Sequence, residues 1–420
     1  MKYTTSVKRI VAFGVLCVLI LMFATLALIS ENSSPSTTYY VRENGNNAND
    51  GLSWGGAFAT IQHAVDAASA GDTIVVGDGT YRENLVVSKE NLTVRSENGP
   101  TFTIVRTPDN TKSVLEIIGN NVTISGFTFE NTAGTWENIF TKSGWVLDFV
   151  VAPGVVLTHV ANCSISNNII KNNGGGIVLG RSDNNTLENN IIESNGSCGI
   201  SVDGNNNILK NNLIENNGTG ISLDYSSYNI ITNNNCSNNS CGIHLYKSSN
   251  NALKNNMIEN NDDCMRLDDS DNNTLKNNIF RNSLTGISLE GGSYNLLENN
   301  AIENSNFGID SISSDNNIVK NNIINSCWNG IDMGFSDNNT LENNIVRLCS
   351  YCSVDLYKSD NNTIRNNIIE NDNYGIHLEN SSNNTLTSNT CENNTNYGIY
   401  VSSSCTGNTL TNNIGTVYYE

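Results

Sequence analysis

Apolar residues return along this chain with a period of 22. One column reads Ile165, Leu187, Leu209, Ile231, Leu253, Leu275, Leu297, Val319, Leu341, Ile364, Leu386 and Leu410. A second runs from Ile170 through Ile192, Ile214 and Cys236 to Cys391, and a third from Val155 through Ile177, Ile200 and Ile221 to Ile399. The nonapeptide starting at Ser182 (SDNNTLENN) recurs unchanged at Ser336, seven periods later, and with Lys276 for the Glu at Ser270. Each unit holds three short apolar stretches, the third of the form G-I-x-L. This predicts three β-type segments per unit, with Ile and Leu pointing in and x pointing out. No unit can bury its apolar side chains alone, but stacked units share one core. The expected object is a three-sided coil rising by roughly 4.8 Å per turn, the spacing of neighbouring strands. A leucine-rich repeat has a similar period. It needs an L-x-x-L-x-L frame and a helical or extended return, whereas here paired asparagines, poor helix formers, interrupt every helical window.

The asparagine pairs have a place in this scheme. Asn190, Asn212, Asn234, Asn256, Asn278, Asn300, Asn322, Asn344 and Asn367 occupy one coil position. Asn tolerates left-handed backbone at corners, and stacked amides can hydrogen-bond donor to acceptor along the axis. The asparagines therefore read as architecture and not as a binding code.

The repeat resembles the right-handed parallel β-helix of the pectin-lyase-like superfamily, and most of all the NosD-type repeats of archaeal cell-surface proteins, over residues 39–420. The resemblance implies an all-β fold: a single-stranded right-handed parallel β-helix solenoid with about 22-residue coils. It leaves function open, because such folds host lyases, hydrolases, epimerases and binding proteins. The order F-x-T-I-Q-x-A (58–64), G-D-T-I (71–74) and D-G-T-Y-x-E (78–83) is similar to the opening of many such helices. It implies a short capping helix over the open end of the stack. Thr60–Ala70 puts Ile61, Val65 and Ala68 on one helical face, with Gly71 as its C-cap; Asp72, Asp78, Tyr81 and Glu83 read as parts of this cap.

Taken in order, residues 1–30 are expected to form a signal peptide or membrane anchor. Lys2, Lys8 and Arg9 precede an apolar run from Ile10 to Ile29, long enough to span a bilayer, with no convincing cleavage site and no good lipobox before Cys17. Residues 31–38 form a polar linker, 39–99 the cap and first coils, and 100–154 irregular coils with an insertion. In that insertion Thr132–Gly154, holding Trp136 and Trp145, is expected to leave the stack as a loop. Residues 155–420 are the regular array. The protein should act outside the cytoplasm or at the cell surface.

Charge narrows the partners. The net charge of −19 excludes the basic face that nucleic acid requires and disfavours anionic polysaccharides without a bridging cation. Export permits disulfides. Cys327 and Cys349 share a coil position in adjacent coils, within disulfide reach, and Cys241 with Cys264 is a looser pair; Cys236 and Cys391 stand in for buried Ile. The N-x-S/T sequons, among them Asn91, Asn121, Asn184, Asn195, Asn217, Asn272, Asn338, Asn361 and Asn383, occur about as often as the composition produces by chance.

Candidate chemistry lies on the outward x row of the third stretch: Val178, Ser201, Ser222, His244, Arg266, Ser288, Asp310, Asp332, Asp355, His377 and Tyr400. Three stacked aspartates repel one another unless a cation sits among them or a pKa rises. They could hold Ca²⁺, or serve with His377 as catalytic groups. Two positions on, Asp203, Asp224, Asp268, Glu290 and Glu379 form a second acidic row broken by Tyr246 and Tyr357. Phe307, Trp328, Tyr351, Tyr374 and Tyr397 precede the stretch in five successive coils. Aromatic faces beside carboxylates are how proteins hold sugars. The predicted ligand-binding set is Arg266, Glu290, Phe307, Trp328, Tyr351, Tyr357, Tyr374, Glu379, Tyr397 and Tyr400. The expected role is glycan binding, adhesive or structural, in the envelope; the alternative is a polysaccharide lyase or glycoside hydrolase using the Asp row. The N-T-D, G-H-G and R-I-K motifs of polygalacturonase-like enzymes are absent, as are the Arg-rich strand of pectate lyases and the D-P-H-E run of alginate epimerases. Unclustered His and Met argue against the copper role that a NosD relation would suggest.

Overall fold

The computed structural model describes residues 36–420 except 133, 142 and 143, and describes 134–141 and 144–151 by their backbone alone. It is a parallel β-solenoid of about 15 turns. The first stretch of every coil joins one 16-stranded parallel sheet, which starts at Thr38–Val41 and ends at Thr409–Thr411. The second and third stretches belong to one larger sheet that bends around a corner. Two segments, Ile279–Glu290 and Ala301–Ile312, run through that corner as unbroken 12-residue strands. The three apolar columns are in register coil by coil: Leu187 lies beside Leu209, Ile192 beside Ile214 and Ile177 beside Ile200. All of these are fully buried. The core continues below the regular array, since Ile74, Val94, Ile124 and Ile165 stand in line.

The asparagines of each pair divide the work. The first, such as Asn189, Asn211, Asn233 or Asn255, is exposed and takes φ of 54–57°, turning the corner. The second is buried and hydrogen-bonds along the axis. Asn256 Oδ1 accepts from the Asn234 amide (2.9 Å) and from Asn234 Nδ2 (3.1 Å), and Asn256 Nδ2 donates to the Ile231 carbonyl (2.9 Å). Each ladder amide thus satisfies a backbone N–H and a carbonyl that the corner would strand without a partner. A second ladder of this kind includes Asn207, Asn229 and Asn251, and a third runs Asn173, Asn195, Asn217, Asn239 and Asn261. Serines at a fourth corner, such as Ser226, Ser248 and Ser270, do the same with hydroxyls.

Two sequence expectations change. Helix α1 spans Ile61–Ala67, with Thr60 as N-cap, and stops before Gly71: Ala68 is already extended at ψ 156°. Asp72 holds the chain there by accepting from Ser69 N and Thr37 N (2.7 Å each). Glu83 accepts from the Ile61 and Gln62 amides at the N-terminus of α1 (2.8 Å each), and burial raises its carboxyl above the usual range against those two bonds. The second change concerns the expected loop. It contains an antiparallel hairpin of Gly134–Thr141 with Gly144–Val151. These are aromatic and β-branched segments, suited to strands outside the 22-residue period. The apolar run 10–29 lies outside the described residues; among the described residues no helix is long and apolar enough to cross a membrane.

Candidate functional site

The third face carries the predicted row in unbroken register: Ser288, Asp310, Asp332, Asp355, His377 and Tyr400 sit side by side on successive strands, and Tyr418 continues the row. G-I-x-L alternation presents x outward while Ile309, Ile331, Val354 and Ile376 fill the core beneath.

The three aspartates are not equivalent. Asp355 Oδ1 lies 2.8 Å from His377 Nδ1, both side chains being less than a fifth exposed. Asp332 Oδ2 accepts from Asn329 Nδ2 (2.8 Å), and Asn329 is itself buried, its Oδ1 without a partner among the described residues. Burial, and then Asp355, hold the Asp332 carboxyl above the usual range against that bond. For Asp310 burial comes first, followed by the charges of Asp332, Glu290 and Asp263, and among the described residues no donor offsets them. Its carboxyl is pushed up to about 6.

Among the described residues no three His, Cys, Asp or Glu side chains come together to hold a metal, Asp310, Asp332 and Asp355 included. Asp332 is turned to Asn329 and Asp355 to His377, so the row does not converge on a common point.

The aromatic wall is continuous. Phe307 meets Trp328 edge-on (5.7 Å), Trp328 stacks on Tyr351 (5.0 Å), and Tyr351 meets Tyr374 (6.2 Å). Tyr374 adjoins Tyr397 (6.3 Å), and Tyr418 stacks on both Tyr397 (4.6 Å) and Tyr400 (5.4 Å). The wall edges the corner between the second and third stretches. Trp328 and Tyr351 stand one residue ahead of the others, because Asn329 and Cys352 take the register positions of Phe307 and Tyr374. Trp328 is 47% exposed. An open groove of about 810 Å³ lies at its foot, lined by Asn304, Ser305, Asn306, Phe307, Ser326, Cys327, Leu348 and Ser350. Leu348 was not among the predicted residues; its sequence signal is a Leu at a corner position that Asn304 and Asn371 occupy in other coils, and the structure shows it exposed with φ 58°.

Other predicted residues stand apart. Arg266 Nε bonds both Asp268 oxygens (2.9 Å each), Arg266 reaches Glu290 (3.2 Å), and His244 Nε2 lies 3.1 Å from Asp268. This is a separate network, divided from Asp310 by Ser288. The second acidic row is interrupted after Glu290, where Ile312 and Gly334 flank Asp310 and Asp332, and resumes at Glu379 after Tyr357. Tyr357 packs on Phe335 (5.8 Å) under Lys358, on the opposite edge of the face from the wall.

The cysteines also differ from expectation. Cys327 and Cys349 are free thiols. Each Sγ lies near a carbonyl two residues back, Asn325 O (3.7 Å) and Arg347 O (3.8 Å), as the corner serines do. The Cys327 sulfur and burial push the Cys349 thiol far above its ordinary range. Cys241 pairs with Asp263, so Cys264 is one residue out of register and buried on the other side of the strand.

Residues 153–284 and 266–414 match the family described as right handed beta helix region. A curated relative, a cell surface glycoprotein of Methanothermus fervidus, is 35% identical over 117 residues, covering 27% of this chain and 16% of the relative, so the chain matches a small part of that protein's length. Two solved structures are similar: DFA-IIIase from Arthrobacter chlorophenolicus A6 in complex with GF2 (14% identity, TM-score 0.53) and the same enzyme without its lid (13%, 0.51). Each comparison covers 73% of this chain and 94% of the other. At these identities the likeness is one of fold.

Proposed function

This chain belongs to the right-handed β-helix family, and from there we propose that it is an exported cell-surface protein whose third face binds an envelope glycan along the coils from Asp310 to Tyr400. The observation that carries the reading is the aromatic wall running beside a polar row of the same coils. Sugar rings present C–H faces to aromatic rings, and Asp332, Asp355 and His377 offer partners to hydroxyls. Trp328, the most exposed of the five predicted wall residues, is the anchor, with the groove at its foot taking a branch or chain end. The acidic surface suits a neutral glycan better than an anionic one. The name of the Methanothermus fervidus relative supports a place at the cell surface. Residues 10–29 serve as export signal or anchor and residues 155–420 as the binding array.

A second reading, glycoside hydrolysis, is favoured by one feature. Asp310 stands beside Asp332 on the next coil with its carboxyl raised to about 6, and a neighbouring pair of carboxyl groups, one of them held protonated, is what glycoside hydrolysis uses. The test is a binding screen of residues 36–420 on neutral and acidic glycans, with product release monitored. Binding without product, weakened about tenfold by Trp328→Ala, is expected. Product release lost in Asp332→Ala with the fold retained would establish the hydrolase. Neither binding nor product would sink both.

A further inference from the structure

The sequons that composition scatters through the chain are sorted by the fold. In those headed by Asn91, Asn121, Asn184, Asn272, Asn338, Asn361 and Asn383, the threonine at the third position opens a strand of the first stretch. Those threonines share one register position, as Thr93 beside Thr123 and Thr340 beside Thr363 beside Thr385 show. The asparagine two residues earlier turns the corner between the third and first stretches. All seven are exposed, with φ between 56° and 59°. The repeat multiplies any sequon it contains, so number decides nothing here; access to the carboxamide does.

Asn195 and Asn217 supply the contrast. They also head sequons, but they belong to a buried ladder and are 3% and 6% exposed. Asn195 Nδ2 donates to Ile170 O (3.2 Å) and Asn217 Oδ1 (3.0 Å), and Asn217 Nδ2 donates to Ile192 O (3.1 Å) and Asn239 Oδ1 (3.2 Å). A sugar on either nitrogen would replace one of its two N–H donors, break the bond that donor makes and force the buried stack open.

We infer that the exposed corner column is a stripe of N-glycosylation sites and that the ladder sequons stay bare. The donor is a lipid-linked oligosaccharide diphosphate. The bond from sugar C1 to the diphosphate oxygen breaks as the C1–Nδ2 bond forms; the diphosphate leaves with the electron pair and the amide gives up one proton. The stripe runs along a different corner from the aromatic wall, so glycans there leave the wall open. The inference rests on export, because the donor and its transferase act outside the cytoplasm.

The full chain is produced in a host that N-glycosylates exported proteins, and site occupancy is read by glycopeptide mass spectrometry. Export is read separately, by digestion with protease added to intact cells. Glycans at the corner asparagines with bare Asn195 and Asn217 are expected. Thr340→Val and Thr363→Val, which keep the asparagine and suit the strand, should each lose one glycan at their own site, while Thr363→Ser keeps it. An exported but bare chain overturns the inference and leaves the surface reading standing. A chain neither exported nor modified overturns both, and occupancy at Asn195 or Asn217 overturns the sorting.

Discussion

Asp372 stands where the ladder calls for asparagine. Its neighbours along the axis are Cys327, Cys349 and Asn394, and in earlier coils the position is Asn217, Asn239 and Asn261. It is 3% exposed. It accepts from the Cys349 amide (2.6 Å) and from the Ser353 hydroxyl, yet burial outweighs both and pushes its carboxyl up to about 6. A carboxyl raised in the folded state contributes stability that is full below its unfolded pKa near 3.9 and is lost as pH rises through about 6. Asp372→Asn should therefore raise the melting temperature at pH 7, by up to about 3 kcal/mol of stability, and flatten the decline between pH 4 and pH 6. Melting curves across that range check it; an unchanged decline in the variant would assign it to other raised carboxyls such as Asp310. The two asparagines of a pair should also respond oppositely. Asn256→Ala strands the Asn234 donors and the Ile231 carbonyl and should cost roughly 3–5 kcal/mol by denaturation. Asn255→Gly, at φ 56°, should be nearly neutral, and Asn255→Val should cost about 1–3 kcal/mol. The pairing was plain from the sequence. Which member turns and which one bonds was not, because both are the same residue type and only the corner geometry tells them apart.

At the scale of the coil, each turn touches only the turns above and below it. Removing one whole period, residues 231–252, should leave a folded solenoid with the same far-ultraviolet circular dichroism signature and the candidate face intact. Removing 11 residues should abolish cooperative folding, since it sets every later ladder and apolar column out of register. Size-exclusion chromatography and thermal melts of the two deletions decide it. The register of the Asp row was legible for the same reason: a constant period places Asp310, Asp332 and Asp355 side by side whatever their chemistry. The Asn329–Asp332 bond and the Ile312 and Gly334 that interrupt the second acidic row beside Asp310 were not singled out, although each sits at a predictable coil position. Repeat logic directs the eye to positions that agree, and these residues are departures from it. The end of α1 was missed for a different reason: Asp72 captures the chain from outside the helix.

Across the whole molecule, a formal charge of −19 is spread over an elongated surface, with compensating pairs such as Lys276–Glu298 and Arg365–Glu342 partly exposed. Screening should relieve the repulsion, so the melting temperature should climb as salt is raised from low to molar concentration. A fall would mean that the surface pairs contribute more than the excess charge costs. Period, polarity and residue type were by themselves enough to determine the parallel coil, the buried columns, the asparagine corners and the order of residues along the candidate face, because a solenoid maps sequence separation directly onto position in space. Only the tertiary structure decided which groups are satisfied. It turned Asp355 to His377 and Asp332 to Asn329, left Asp310 without a donor among the described residues, kept Cys327 and Cys349 as thiols, and separated exposed from buried asparagines in sequons of the same N-x-S/T form. Those outcomes depend on side-chain direction and on burial within a stack, and a one-dimensional repeat carries neither.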